Sequence, residues 1–559
     1  MFFMSENQIL PEEKKRKVFS EYFEEYIRQY QMDWDYRHQP VISPLEVDSL
    51  ASSIAKAYEK VRKVVDWKEE NLLRRNAIER ILKRKLMSEL YGINILPVTA
   101  AEVAEPIVLE LMRSGYFDNG HIAKQQVKEV ERIINKYINI MSRSRLASQK
   151  SDKHIKGKMS FYTWLIEIAA CEIEEILAPA FKENALLNLM TNLLYQRTRI
   201  VPTDRIDNLE KLIQIYISSQ RTLYNFDEPI IAYNVIKIRY PYWLKEDKET
   251  VDQIVENAEG IYQQIENDLE SKDGKKFFKL ASKYDAAYRI IGDLLEDIND
   301  KPAVVLETLA NEDKLDALIE KIYAARKKSL KGRLFRSAIY STLSLFIAGG
   351  FSYFVFEGPV ARLAGKEFSL LALFIDLLIP SLVMFVLVII IRPPPDKNLI
   401  AVKKEIKKVI YKSDDDDVYE INYIKKKNKV LQAIFLLLSG LAGASSLWFV
   451  FWIFKVANVP WTSMYIDTVN VAMVVFAAMA VREKSKEITI EDGGNFAEFL
   501  VDLFSIPMAK LGQWFSNKWK EYNLVAALFT ALVDTPFSAL ISLIEDWRNF
   551  LKEKSSEIH

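Results

Sequence analysis

SLLALFIDLLIPSLVMFVLVII, residues 369–390, is the stretch on which the reading of this chain turns. It matches the roughly 20 residues that cross a hydrocarbon core about 30 Å thick. Inside it stand one carboxylate, Asp376, and one proline, Pro380. A charge facing lipid is costly, so Asp376 is expected to face a bundle interior or a wet cavity. Pro380 is expected to mark a helix kink or a local backbone opening.

The whole apolar run covers 368–391, and three others occupy 337–356, 430–454 and 459–481. EGPVARLAGK (357–366) joins the first two, and KVAN (455–458) joins the last two. Connections that short predict two helical hairpins, 337–391 and 430–481. Lysine and arginine collect at the opposite ends. Arg326, Lys327, Lys328, Lys331, Arg333 and Arg336 precede the first run; Arg392, Lys397, Lys403 and Lys404 follow the second. Lys425, Lys426, Lys427 and Lys429 precede the third, and Arg482, Lys484 and Lys486 follow the fourth. The excess of positive charge on cytoplasmic loops then predicts a multi-pass inner-membrane protein with both termini in the cytoplasm.

The hairpins resemble each other. A shift of 91 residues lays Phe374-Ile375-Asp376 on Tyr465-Ile466-Asp467, and Gly349 on Gly440. Each aspartate is expected about 12 Å below the outer boundary, from a rise of about 1.5 Å per residue. Asn470 lies one turn beyond Asp467. The small residues of AGG (348–350) and SGLAGASS (439–446) suit close helix contact in lipid. Asp376, Asp467 and Asn470 read as interhelical hydrogen-bonding groups, with a proton or cation path as the alternative.

Residues 1–330 contain no spanning run and predict a helical cytoplasmic domain, divisible into two. SPLEVDSLASSIAKAYEKVRK opens a segment, 43–90, with a serine cap and a proline at the first helical position. Apolar residues recur every three or four positions there and over 100–114, 122–142, 161–195, 205–224, 250–270, 276–299 and 312–329. YNVIKIRYPYW, 233–243, is the one stretch that reads as extended. The basic joint at 141–158 and the hairpin linker, 392–429, read as solvated loops. The linker's four aspartates, 414–417, lack the glycine turn and ligand spacing of a calcium loop.

The C-terminal part, 495–554, reads as a repeated amphipathic unit. A shift of 32 residues lays Leu500-Val501-Asp502 on Leu532-Val533-Asp534. Its tryptophans, Trp514, Trp519 and Trp547, are expected as interfacial anchors on the cytoplasmic leaflet, in contact with anionic headgroups. A fifth span at 524–544 is the competing arrangement.

Composition excludes several classes. Lys plus Arg and Asp plus Glu both total 76, so no overall basic excess suggests nucleic acid. One cysteine, Cys171, forbids an intrachain disulfide, and four scattered histidines give no zinc spacing. Phosphate loops, dinucleotide fingerprints, HExxH helices and serine elbows are absent from the sequence. The carboxylates Glu167, Glu172, Glu174 and Glu175 around Cys171 read as solvent-facing groups beside a buried thiol. Neither an enzyme nor a cofactor is indicated. The expected fold is all-α, a soluble multi-helical region followed by a polytopic membrane domain and amphipathic C-terminal helices. The expected role is a membrane scaffold or adaptor that binds a cytoplasmic protein or itself, with an oligomeric channel or proton-coupled transporter as the alternative.

Overall fold

The computed structural model describes residues 18–40, 42–47, 70–90, 99–144, 152–202, 205–245, 247–352, 370–389, 397–412, 418–423, 429–456, 461–485, 488–490 and 496–521. These are overwhelmingly helical. In chain order the helices are α1 (Glu21–His38), α2 (Glu70–Leu90), α3 (Ala100–Arg113), α4 (Lys124–Arg143), α5 (Asp152–Leu177) and α6 (Phe181–Arg197). They continue as α7 (Asn208–Leu223), α8 (Glu228–Arg239), α9 (Lys248–Leu269), α10 (Gly274–Ile298), α11 (Pro302–Leu309) and α12 (Glu312–Ser352). The apolar part of the chain supplies α13 (Leu370–Ile389), α15 (Lys429–Val456) and α16 (Trp461–Ser485), with α14 (Lys397–Ile410) between them and α17 (Phe496–Glu521) after them.

Most helices follow the apolar period read from the sequence, and the departures have local causes. The segment 161–195 is two helices, because Pro179 lacks the N–H needed to continue α5. Residues 233–239 are helical within α8, and Pro241 starts a short 3-10 turn ending at Leu244. The serine cap at Ser43 does not form a helix start. Ser43 has φ 54°, and Leu45 donates to the Ile122 carbonyl (2.9 Å), so a long-range pairing takes the backbone groups there. Residues 48–69 lie outside the described residues.

The segment between α13 and α15, expected as a solvated loop, contributes α14 to the core. Val402, Ile406, Val409 and Ile410 of α14 are buried in the same apolar cluster as α1, α7 and α10. Ser20 explains how the ends meet. Its hydroxyl caps α1 by accepting from Phe23 N (3.3 Å) and donates to the Val409 carbonyl (2.7 Å). Beyond α14, β2 (Tyr419–Asn422) pairs in parallel with β1 (Thr198–Val201), Thr198 opposite Tyr419. The four aspartates at 414–417 lie outside the described residues.

α12 runs unbroken from that core into the first apolar segment. Asn311 Oδ1 accepts from Asp313 N (3.1 Å) and Lys314 N (3.2 Å), which starts the helix. Leu315, Ile319, Ile322, Tyr323 and Leu330 then return on one face and are buried.

α17 does not stand alone as an amphipathic surface helix. It packs along α16 in antiparallel register: Asp502 pairs with Arg482, Ser505 Oγ lies 3.6 Å from Met479 Sδ, and Gly512 meets Ala472. A Cβ on Gly512 would run into the Ala472 carbonyl, so only glycine permits this approach. On its other side, Pro507 packs on Gly443 of α15, where a Cβ would sit 2.8 Å from the proline Cβ. Gly512→Ala is therefore expected to cost about 1–3 kcal/mol through overpacking, read as a lowered melting temperature of the full chain in detergent. The second copy of the C-terminal repeat lies outside the described residues.

Candidate functional site

Three places bring chemically committed side chains together. The first is a junction at Asn398, in the opening turn of α14 and fully buried. Its Nδ2 donates to Tyr323 Oη of α12 (3.0 Å) and to the Ile488 carbonyl beyond α16 (2.5 Å). Its Oδ1 accepts from Ile490 N (2.8 Å). One amide thus ties together the segments entering the first apolar run, leaving the second and leaving the fourth. Around it Lys403 pairs with Glu320 (2.7 Å) and Lys407 with Asp316 (2.9 Å).

The second place is the seam between α13 and α16. Met384 shares one packed cluster with Val474 and Ala478, 90 and 94 positions later. The Asn398–Ile488 bond joins the chain just past each helix at the same offset of 90. The two helices therefore run parallel in register, which brings Asp376 level with Asp467, 91 positions on. Both aspartates lie in described helix, but their side chains are outside the described parts. Asn470 is half-buried on α16, and Pro380 is buried inside α13. Trp514 is on α17 and 57% exposed. Trp519 belongs to the same helix with its side chain undescribed, and Trp547 lies outside the described residues.

The third place is a cavity of about 620 Å³ where α2, α5, the start of α8 and α9 converge. That volume is within the range of small-molecule sites. Arg75 is 1% exposed in its wall and bonds Glu79 (2.7 Å) and Asp227 (2.5 Å). Burial opposes its charge, but Asp227, Glu79 and Glu167 hold the guanidinium ionised, its pKa above the usual value. Glu167 is pushed up by burial and by Glu79, against the pull of Lys83 at 3.5 Å. Trp164 and Tyr262 form an aromatic wall, ring centres 5.1 Å apart. Glu228 and Glu266 also line the cavity, and their side chains have no ion pair or hydrogen bond among the described residues.

Burial, then the carboxylates of Glu228 and Glu270, raise the Glu266 pKa. A carboxyl whose folded pKa exceeds its unfolded value binds its proton more tightly in the native state. Stability is then lost as pH rises from about 4.3 through the folded value. Glu266→Gln is accordingly expected to raise the melting temperature at pH 7.5, with the gain over the parent vanishing as pH falls toward about 4.

The carboxylates around Cys171 correct the sequence expectation. Cys171 is buried as read, its thiol pushed up chiefly by burial. The glutamates are not a solvent-facing set. Glu172 is buried against Lys136 (2.5 Å) and Tyr137 Oη (2.7 Å). Glu174 accepts from Arg74 (3.0 Å), and Glu175 accepts from Tyr233 Oη (2.5 Å) and Lys237 (2.8 Å). Three helices surround α5, so a full turn of it is used. Neither Asn398 nor the cavity residues carry a sequence signal, since each acts only beside segments distant in the chain. The chain matches no protein-family model, no curated protein and no solved structure, so its reading rests on its own residues.

Proposed function

We propose that this chain is a multi-pass inner-membrane scaffold whose cytoplasmic helical domain is held rigidly against its membrane helices and presents a surface to a protein partner or a second copy. The observation that carries the reading is α12, a single helix whose first turns are core of the helical domain and whose last turns are apolar, tied to Asn398 through Tyr323 in its first third. A mobile tether would lack continuous helix and fixed contacts; α12 has both. Among the described residues one stretch, Leu437–Val456, is long and apolar enough to cross a membrane, and Leu378–Leu387 and Thr468–Met479 are shorter apolar pieces. The exposed faces support lipid as the surrounding medium: Leu382 and Phe385 on α13, Leu441, Trp448 and Phe449 on α15 are all turned outward. Such continuous apolar exposure is foreign to a helix bathed in water.

In this arrangement the four basic clusters stay cytoplasmic, next to anionic headgroups. α17 enters the bundle beside α16 rather than lying on the leaflet, and Trp514 faces lipid near the level of Asn470. The test is accessibility in intact cells. An impermeant maleimide labels Lys455→Cys directly and Lys327→Cys only after permeabilisation. Labelling of Lys327→Cys from outside overturns the topology. For the scaffold itself, in-cell crosslinking through the helical domain is expected to recover a discrete protein or a homo-oligomer, and its complete absence counts against the role.

The matched level of Asp376 and Asp467 on adjacent parallel helices favours one second reading, a proton or cation path. Under it, liposome flux falls at least about tenfold in Asp376→Asn or Asp467→Asn, equivalent to about 1.4 kcal/mol in barrier. Absent flux, or flux unchanged by both substitutions, removes the carboxylates from any path.

A further inference from the structure

The cavity between α2, α5, α8 and α9 has walls of three kinds. One side is an ion-pair network, in which Arg75 is bound by Glu79 and Asp227, and Lys83 by Glu79 (2.6 Å). A second is aromatic and apolar: Trp164, Tyr262, Pro229 and Leu269. Trp164 is fixed by edge contact with Trp243 (6.1 Å) and stacking on Phe161 (6.0 Å), and Tyr262 Oη by Ser160 Oγ (3.1 Å). The aromatic wall is thus set in place by the domain's own core. The third carries Glu228 and Glu266, two carboxylates facing one space with no cation supplied among the described residues.

The wall chemistry selects the ligand class. An anion is disfavoured, since the lining arginine is already engaged by two carboxylates while Glu228 and Glu266 add negative charge. A metal ion is disfavoured too, because no group of three or more Asp, Glu, His or Cys among the described residues could hold one. What remains is a cation large enough to use the aromatic faces. An ammonium group gains from a carboxylate and from the negative face of indole or phenol rings at once, and an apolar body fills the remainder. We infer that this cavity binds a small organic amine, its ammonium held by Glu228 and Glu266 and its body against Trp164 and Tyr262. The site lies within the helical domain, away from the apolar helices, and gives the proposed scaffold a place to receive a small-molecule signal. Binding there neither requires nor establishes the membrane topology.

The experiment titrates the full chain in nanodiscs with phenethylamine, putrescine and tetramethylammonium, following heat and melting temperature. At least one of them binds saturably with one site per chain. For phenethylamine, the neutral isostere 2-phenylethanol binds at least about tenfold more weakly. Glu266→Gln and Glu228→Gln each weaken the bound amine by about tenfold, the factor that 1.4 kcal/mol gives. Glu256→Gln, an exposed carboxylate on the same helix as Glu266, leaves affinity unchanged. Tyr262→Leu, which removes the ring, weakens binding and identifies the aromatic wall. The inference is overturned if none of the three amines binds saturably, if 2-phenylethanol matches phenethylamine, or if both glutamine variants bind as the parent does.

Discussion

Lys136→Met is expected to destabilise the helical domain by about 3–5 kcal/mol, the cost of leaving one member of a buried ion pair without the other. Lys136 is 2% exposed on α4, and its Nζ donates to Glu172 Oε1 (2.5 Å) and to the Trp243 carbonyl (3.1 Å). The second Glu172 oxygen accepts from Tyr137 Oη (2.7 Å), and that hydroxyl accepts from Trp243 Nε1 (3.0 Å). Burial, with the Glu172 charge adding to it, pushes the Tyr137 hydroxyl well up, so it stays protonated and remains the donor. Removing the lysine strands a carboxylate where water does not reach. The double variant Lys136→Met with Glu172→Leu should recover much of the loss, because it removes the stranded charge as well. Thermal and urea melts of the full chain in detergent read both. A single variant as stable as the parent would mean that the pair is not buried.

Asn398→Leu is the second large effect, expected at about 3 kcal/mol or more. The leucine matches the asparagine in size but leaves the Ile488 carbonyl and the Ile490 N–H without their partner, at about 1–3 kcal/mol for each stranded group. Its consequence is also local. The chain following α16 loses its anchor, so limited trypsin digestion should cut near Lys484 and Lys486 faster than in the parent. Unchanged cleavage with unchanged stability would show that Asn398 does not bind these segments together.

What the sequence disclosed, and what it did not, follows from the range of the interactions. Helices such as α4 and α10 were legible because buried side chains recur every three or four positions, a pattern contained within one segment. Both halves of α12 are legible in the sequence, although its continuity is not. The two strands escaped notice because each is four residues long and exists only through a partner more than two hundred positions away. α14 reads as a charged loop in the sequence because its lysines dominate the composition; Val402, Ile406 and Val409 occupy the narrow face that packs inward. The glutamates beside Cys171 read as solvent-facing for a related reason. Periodicity shows which face of a helix is apolar, but not that Lys136 or Arg74 from another helix meets its polar face. The offset of 91 was visible in the sequence, and the packing of Met384 with Val474 and Ala478 gives it a spatial meaning.

A rigid scaffold requires the helical domain and the apolar helices to move as one body through α12 and the Asn398 junction. Spin labels at Glu256→Cys on α9 and Lys455→Cys on α15 report on this directly, and the native Cys171 is buried away from the label. Pulsed electron resonance on the full chain in nanodiscs is predicted to give one narrow distance distribution. A broad or multiply peaked distribution for that pair would contradict the claim.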